Sequence, residues 1–306
     1  MKLAVPDLIS NSYFPAIAAV ELGFFKREGL DVELEMIVPV ENALARMREG
    51  TLDFIGCSAH LLVAGFPEWR GVKLLCAQSH GMYWFLVMRA DLGIRRGDLA
   101  ALKGRRIGAA HWVAMGLRRL LAAAGIDAER EGITIAPIPG AHGAGINFGV
   151  TAAKALEEGR VDGFWANGMG AELAVRRGVG TVVLDVRRGD GPKECFDYTW
   201  PAIAATDALI VRSPQTAAAA VRAIANTHNA LTDNVELALD VGRKLFPATE
   251  AELIADLIRR DLPFYDATIT PDMVRAITQF SRDVGILRRH PRYEDVVADG
   301  IARGLE

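Results

Sequence analysis

The chain has 306 residues, 51% of them hydrophobic and 24% charged, with a formal net charge of −3. This is a globular balance with room for two cores, and it excludes a general attraction to nucleic acid or to anionic membrane. No apolar run approaches the roughly 18 residues of a membrane span. Cys57, Cys76 and Cys195 make neither a disulfide framework nor a C-x-x-C pair, and none of the histidines forms an H-x-x-x-H pair, so no metal and no cofactor is expected.

In chain order, residues 2–37 (KLAVPDLISNSYFPAIAAVELGFFKREGLDVELEMI) read as strand, helix, strand. PAIAAV, residues 15–20, is too short and too interrupted upstream for a signal-peptide core, so no export signal is read. Residues 42–75 read as a helix with a glycine C-cap, a short apolar strand, a polar loop, a helix and a second strand. VKLLCAQSHGMYWFLVMRA (72–90) is too long for one strand and is expected to cross between lobes. Residues 104–138 repeat strand, helix, strand, and residues 151–184 repeat the pattern of 42–75. CFDYTWPAIAATDALIVR (195–212) reads as a return crossing. Four helices should follow, with Ser213-Pro214 and Thr270-Pro271 as starts.

The repeat is open to direct inspection. Laid over each other without a gap, 42–75 and 151–184 share Ala43/Ala152, Glu49/Glu158, Gly50/Gly159, Asp53/Asp162, Gly71/Gly180 and Leu75/Leu184. Strands alternating with helices argue parallel sheets with right-handed crossovers. The expectation is an α/β chain of two lobes, each a mostly parallel sheet flanked by helices. Lobe one is 1–82 with 203–306, and lobe two is 83–202. Two crossings make a two-stranded hinge and a cleft.

Three stretches carry a family resemblance: AAVELGFFKREGLDVELE, ALARMREGTLDFIG and VMRADLGIRRGDLAALKGRRIGA. With them the chain resembles the type II periplasmic solute-binding proteins, in the branch serving nitrate, sulfonate, taurine and thiamine-pyrimidine-precursor uptake. The resemblance implies capture of a small solute, anionic or aromatic, for an ABC transporter, with a membrane permease as partner and a monomer as the working form. It implies a periplasmic location if a leader has been removed. The cytoplasm is the alternative, because no signal is read in the chain.

In open parallel sheets ligands sit beyond the carboxyl ends of the strands, by helix N-termini. The repeated step should deliver one strand end per lobe to one cleft. Ser58 and His60 would line one wall, and Trp165 and Asn167 the other, by stacking and hydrogen bonding. Trp165 packed under a helix is the competing reading. The same geometry nominates Asn11 and Tyr13 after the first strand, and His111 and Trp112 at their counterpart. Each pair stands beside a helix start with amides to offer an anion, although Tyr13 and Trp112 also suit plain helix caps. His80 and Asp197 belong to the crossings, where long strands also bury aromatics. Gly143-x-Gly145-x-x-x-Gly149 fits a dinucleotide turn poorly; an anion-holding nest including Asn147, or a plain loop, fits better.

Cytoplasmic enzymes resemble this fold too: decarboxylases, desulfinases and pyrimidine-precursor synthases. For that alternative, Cys57 and His60 are three apart on a strand-to-helix turn, within reach of a nucleophile–base contact. A buried structural cysteine is the competing reading. No paired carboxylates stand at the expected strand ends, which weakens acid–base chemistry.

Overall fold

The computed structural model describes residues 1–141 and 147–302. The chain divides into two compact units, Met1–His80 with Thr199–Glu306, and Gly81–Tyr198.

Unit 1 holds strands β1 (Lys2–Val5), β2 (Glu33–Met36), β3 (Phe54–Ser58), β4 (Val72–Ala77) and, from late in the chain, β10 (Pro201–Thr206). Their order is β2-β1-β3-β10-β4. β1 is parallel to β2 and β3, and β10 runs antiparallel to β3 and β4. Helices α1 (Phe14–Glu21), α2 (Phe24–Arg27), α3 (Val40–Arg48) and α4 (Leu62–Gly65) lie among the early strands. After β10 come α8 (Asp207–Arg212), α9 (Pro214–Asp233), α10 (Leu237–Leu245), α11 (Ala248–Asp261), α12 (Pro271–Asp283), α13 (Tyr293–Val296) and α14 (Asp299–Ala302). Proline opens α9 and α12. Thr270 also caps α12, accepting the Met273 amide at 3.2 Å, whereas the Ser213 side chain makes no cap.

Unit 2 holds β5 (Phe85–Arg89), β6 (Arg106–Gly108), β7 (Thr134–Ala136), β8 (Gly163–Ala166) and β9 (Gly180–Asp185), in the order β7-β6-β8-β5-β9. Its helices are α5 (His111–Ala123), α6 (Phe148–Glu157) and α7 (Gly168–Arg176). The topology is that of unit 1, with β5 standing where β10 stands there. Each sheet therefore has four strands in one direction and one reversed, because a crossing segment enters it from the opposite end. This is the expected α/β class, with two five-stranded sheets flanked by helices. Residues 72–90 prove to contain β4 of one unit and β5 of the other.

The repeated sequence has a structural job. Gly50 and Gly159 follow α3 and α6 in the left-handed region, at φ +72° and +67°, where a side chain would be strained. Three residues on, Asp53 and Asp162 perform the same clamp. Asp53 Oδ2 accepts the Lys2 amide and Asp162 Oδ2 accepts the Arg106 amide, each at 2.8 Å. The carboxylate thus ties the start of β3 to that of β1, and the start of β8 to that of β6.

The ungapped overlay drifts by one residue beyond this point. β10 pairs Ala202 with Cys57 and Ile203 with Cys76. β5 pairs Phe85 with Ala166 and Leu86 with Leu184. Cys57 matches Ala166 (166 − 57 = 109), but Cys76 matches Leu184 (184 − 76 = 108). Gly71/Gly180 and Leu75/Leu184 are consequently not equivalent positions. Both units bulge at the matching place, beside Leu75 and Val183, where two ladder partners skip a residue.

The glycine-rich stretch 139–154 also finds its reason in packing. Gly143 and Gly145 lie outside the described residues. Gly149 is in the first turn of α6, which crosses α7 at Gly170. A Cβ on Gly170 would come within 2.7 Å of the Gly149 backbone, and one on Gly149 within 2.8 Å of Asn167 Oδ1. Close helix approach, not a phosphate cradle, explains Gly149. Gly170→Ala is expected to destabilise the protein by about 1–3 kcal/mol through overpacking, read as a melting temperature lower by several degrees.

Candidate functional site

Gln78, just beyond β4, organises the carboxyl edge of the unit 1 sheet. Its Oε1 accepts the Ala16 amide of α1 at 3.2 Å, its Nε2 donates to Ala202 O at 3.2 Å, and its carbonyl receives His228 Nε2 of α9 at 2.8 Å. Pro15 has no amide hydrogen, and the Ala16 amide is taken by Gln78 and not open to an anion. Tyr13 sits at the N-cap position without a side-chain cap bond and is 8% exposed.

The other unit 1 candidates fall on this same edge. Asn11 is buried, and its Nδ2 donates to Asp261 Oδ2 at 2.6 Å. Arg260 Nε stands 3.6 Å from Asp261 Oδ1. Ser58 ends β3 and is buried. His60 follows in a 3-10 turn, fully buried, with Nδ1 2.9 Å from Thr199 Oγ1 and its ring edge-on to Phe280. His80 is half-buried and is held elsewhere, with Nε2 2.9 Å from Thr268 O. Two further groups lie at this edge. Ser12 Oγ and Trp200 Nε1 are buried and have no hydrogen-bond partner among the described residues. Trp200 immediately precedes Pro201, which pairs with Ser58 at the end of β3.

In unit 2, Ala110 opens α5 and no side chain caps it. His111 is exposed and Trp112 half-buried, their rings meeting edge to face at 5.4 Å. Asn147 and Asn167 are helix caps: Asn147 Oδ1 accepts the Val150 amide at 2.8 Å, and Asn167 Oδ1 accepts the Gly170 amide at 3.2 Å. The second copy of the repeat thus ends in asparagine because α7 needs an N-cap. Asp197 is half-buried at the end of a 3-10 turn.

Trp165 answers to a substitution between the copies. Its unit 1 counterpart is Gly56 (165 − 56 = 109). A Cβ on Gly56 would meet Gln78 Nε2 at 3.0 Å and Val5 at 3.2 Å. Gln78 fills that space in unit 1; Val186 stands at the matching place in unit 2, and the indole takes the room. Trp165 is fully buried, edge to face with Trp84 at 6.1 Å. Its Nε1 is buried with no partner among the described residues. It therefore combines core packing with an unsatisfied donor at a strand end.

The strand-end rule, applied to β9 as well, would have found Arg187. This arginine follows Asp185–Val186, is buried, and lies 5.6 Å from the Tyr83 ring centroid. Arg119 stands 5.5 Å over the Tyr198 ring. Of the two, Arg187 stands at the carboxyl edge of unit 2, directly after β9.

The nucleophile–base pair does not form. Cys57 is inside β3, paired with Ala202, and burial pushes its thiol far above the ordinary range. Among the described residues no hydrogen bond joins it to His60, whose ring is turned to Thr199. Burial likewise raises Cys76 to about 12 and Cys195 to about 11.

The NMT1/THI5-like family model matches residues 10–237, well over half of the chain. The chain belongs to that family. No curated protein matches it. Among solved structures it is similar to the periplasmic sulfonate-binding protein SsuA of a putative sulfonate ABC transporter from Methylobacillus flagellatus KT, at 15% identity and TM-score 0.71, covering 100% of this chain and 94% of that one. It is similar to the periplasmic nitrate-binding protein NrtA from Synechocystis PCC 6803, at 15% identity and TM-score 0.73, covering 99% and 87%. It is also similar to the desulfurization enzyme DSZB, at 16% identity and TM-score 0.64, covering 99% and 98%. At these identities the likeness is one of fold.

Two outcomes test the protonation states. Iodoacetamide at pH 8 should leave Cys57 unalkylated in the native protein and label it after denaturation, as read by mass spectrometry; rapid native labelling would restore the thiolate reading. Burial pulls His228 down to about 4 from 6.5. The unfolded chain then binds the extra proton first as pH falls. The group's contribution is complete above pH 6.5 and is lost progressively down to pH 4, by about 3 kcal/mol. Denaturant titrations across this window should show a shallower fall in His228→Gln.

Proposed function

We propose that this protein is the solute-capturing component of an ABC importer, acting as a periplasmic monomer that delivers a small anionic or aromatic solute to a membrane permease. The observation that carries the reading is the Trp165 indole N–H, buried at the end of β8 with no acceptor among the described residues. A buried donor left unmatched costs about 1–3 kcal/mol, so such a group calls for an outside acceptor. Trp200 Nε1 and Ser12 Oγ repeat the situation at the carboxyl edge of unit 1. Uncapped α5 amides and the Arg187 guanidinium add positive potential at the carboxyl edge of unit 2. Donors and cations next to flat rings suit a sulfonate, nitrate or aromatic acid, which offer only acceptors. Family membership and the likeness to the sulfonate- and nitrate-binding proteins support the same class. No residue of this set requires a cofactor.

A thermal-shift screen of nitrate, taurine, alkanesulfonates, aromatic acids and pyrimidines is expected to give a stabilising ligand. At 1,000 times its Kd it should add about 4 kcal/mol to stability. Trp165→Phe keeps a ring and removes the donor. Its affinity for that ligand should fall about tenfold to a hundredfold, as for a lost hydrogen bond to a charged group. Unchanged affinity would remove Trp165 from the site. Steady consumption of the ligand would replace the transport reading with the enzymatic one that DSZB exemplifies on this fold.

A further inference from the structure

The opposite edge of the unit 1 sheet, where β3 and β4 begin, carries a cavity of about 600 Å3. Its apolar side is formed by Met47, Leu52, Phe66 and Leu209, all nearly buried. Arg70 and Arg212 are exposed at its rim and make no ion pair among the described residues. Asp207, the first residue of α8, gives its amide to Gly71 O, while its Oδ1 is buried without a hydrogen-bond partner.

The internal repeat supplies a control. The matching depression in unit 2 is lined by Arg89, Asp91, Glu157 and Glu158. By ladder register Arg89 occupies the place of Thr206, since Arg89 pairs with Gly180 as Thr206 pairs with Val72. There the guanidinium is clasped by Asp91, Nε to Oδ1 at 3.0 Å and Nη2 to Oδ2 at 2.5 Å. Unit 2 thus satisfies its own charges. Unit 1 replaces Arg89 by the smaller Thr206, Glu157 by Arg48 (157 − 48 = 109) and Gly178 by Arg70 (178 − 70 = 108). Arg48 Nη1 donates to Gly65 O at 2.8 Å, whereas Arg70 makes no ion pair and Asp207 Oδ1 accepts no hydrogen bond among the described residues.

Arg70 is also held in place. It follows Glu68 and Trp69, two non-glycine residues in the left-handed region at φ +59° and +60°. The Glu68 carboxylate fixes this turn by accepting the Arg288 and Arg289 amides at 3.1 and 2.9 Å. A strained turn that holds a charged side chain at a cavity rim is a recurrent mark of a binding site.

We propose that this cavity is a second small-molecule site, for an α-amino acid with an apolar side chain. The carboxylate pairs with Arg70 and Arg212, the ammonium donates to Asp207 Oδ1, and the side chain lies against Met47, Leu52, Phe66 and Leu209. A plain carboxylic acid leaves Asp207 Oδ1 unmatched, and an amine leaves the arginines unmatched. A volume of about 600 Å3 is within the range of small-ligand pockets.

Isothermal titration with L-phenylalanine tests this on the whole chain. Saturable binding is expected, at least tenfold weaker for 3-phenylpropionate, which lacks the ammonium, and for phenethylamine, which lacks the carboxylate. Arg212→Ala, Arg70→Ala and Asp207→Asn should each weaken it at least fivefold, and circular dichroism should show these variants folded. Trp165→Phe should leave it unchanged, which separates this site from the one under Proposed function. Absence of saturable binding would overturn the proposal, as would binding indifferent to Asp207→Asn and Arg212→Ala, or binding lost in Trp165→Phe.

Discussion

A single carboxylate interaction, made twice, sets the geometry of each unit. Asp53 and Asp162 accept the first amide of the strand beside them, at the amino edge of their sheets. A hydrogen bond to a charged acceptor is worth about 1.5–3 kcal/mol, more than a neutral one. More important is what it aligns. With the strand starts level, Leu3 and Ala4 stand beside Phe54 and Ile55 in unit 1, and Ile107 and Gly108 beside Gly163 and Phe164 in unit 2. The loops after them then open on one edge, where a ligand can be reached from several elements at once.

From that common frame the units diverge by filling one space differently. Unit 1 places Gln78 over Gly56 and uses its amide to tie down α1 and β10. Unit 2 places an indole there and leaves α5 uncapped. At this one position unit 1 thereby gains three hydrogen bonds, and unit 2 gains a buried ring whose N–H has no partner among the described residues. The buried tryptophan N–H groups and the paired asparagine caps are two sides of this division. Caps stabilise the helices beside the edge, while the indole N–H groups of Trp165 and Trp200 stay without a hydrogen-bond partner among the described residues.

The fold was legible because periodicity and punctuation are local. Gly50, Gly159, Pro214 and Pro271 mark element ends through their own backbone preferences, and the alternation of strands and helices leaves few topologies. The site was less legible because it depends on distant partners. Nothing near Asn11 in sequence announces Asp261, 250 positions away, and nothing near Ala16 announces Gln78. Asn147 and Asn167 were read as ligand groups from their residue type, yet each has a cap position directly before a helix, a signal present in the sequence. Arg187, in VVLDVRR, is marked in the sequence only by its place just after a strand. Cys57 and His60 looked like a pair because spacing alone cannot tell which face of a strand a side chain takes.

The reversed strand in each sheet has a bearing on how the chain is made. In unit 2, β5 is the first strand to emerge, and every later strand of that sheet finds its partners within residues 81–198. In unit 1, β10 lies between β3 and β4, so those two strands have no bridge between them until residues 201–206 leave the ribosome. The amino-terminal half of unit 1 is therefore synthesised first and completed last, with one edge of β3 and both edges of β4 unpaired throughout the making of unit 2. Unpaired edges invite pairing with other chains. Nascent-chain aggregation and chaperone demand should accordingly fall on the early residues and end with the arrival of one six-residue strand.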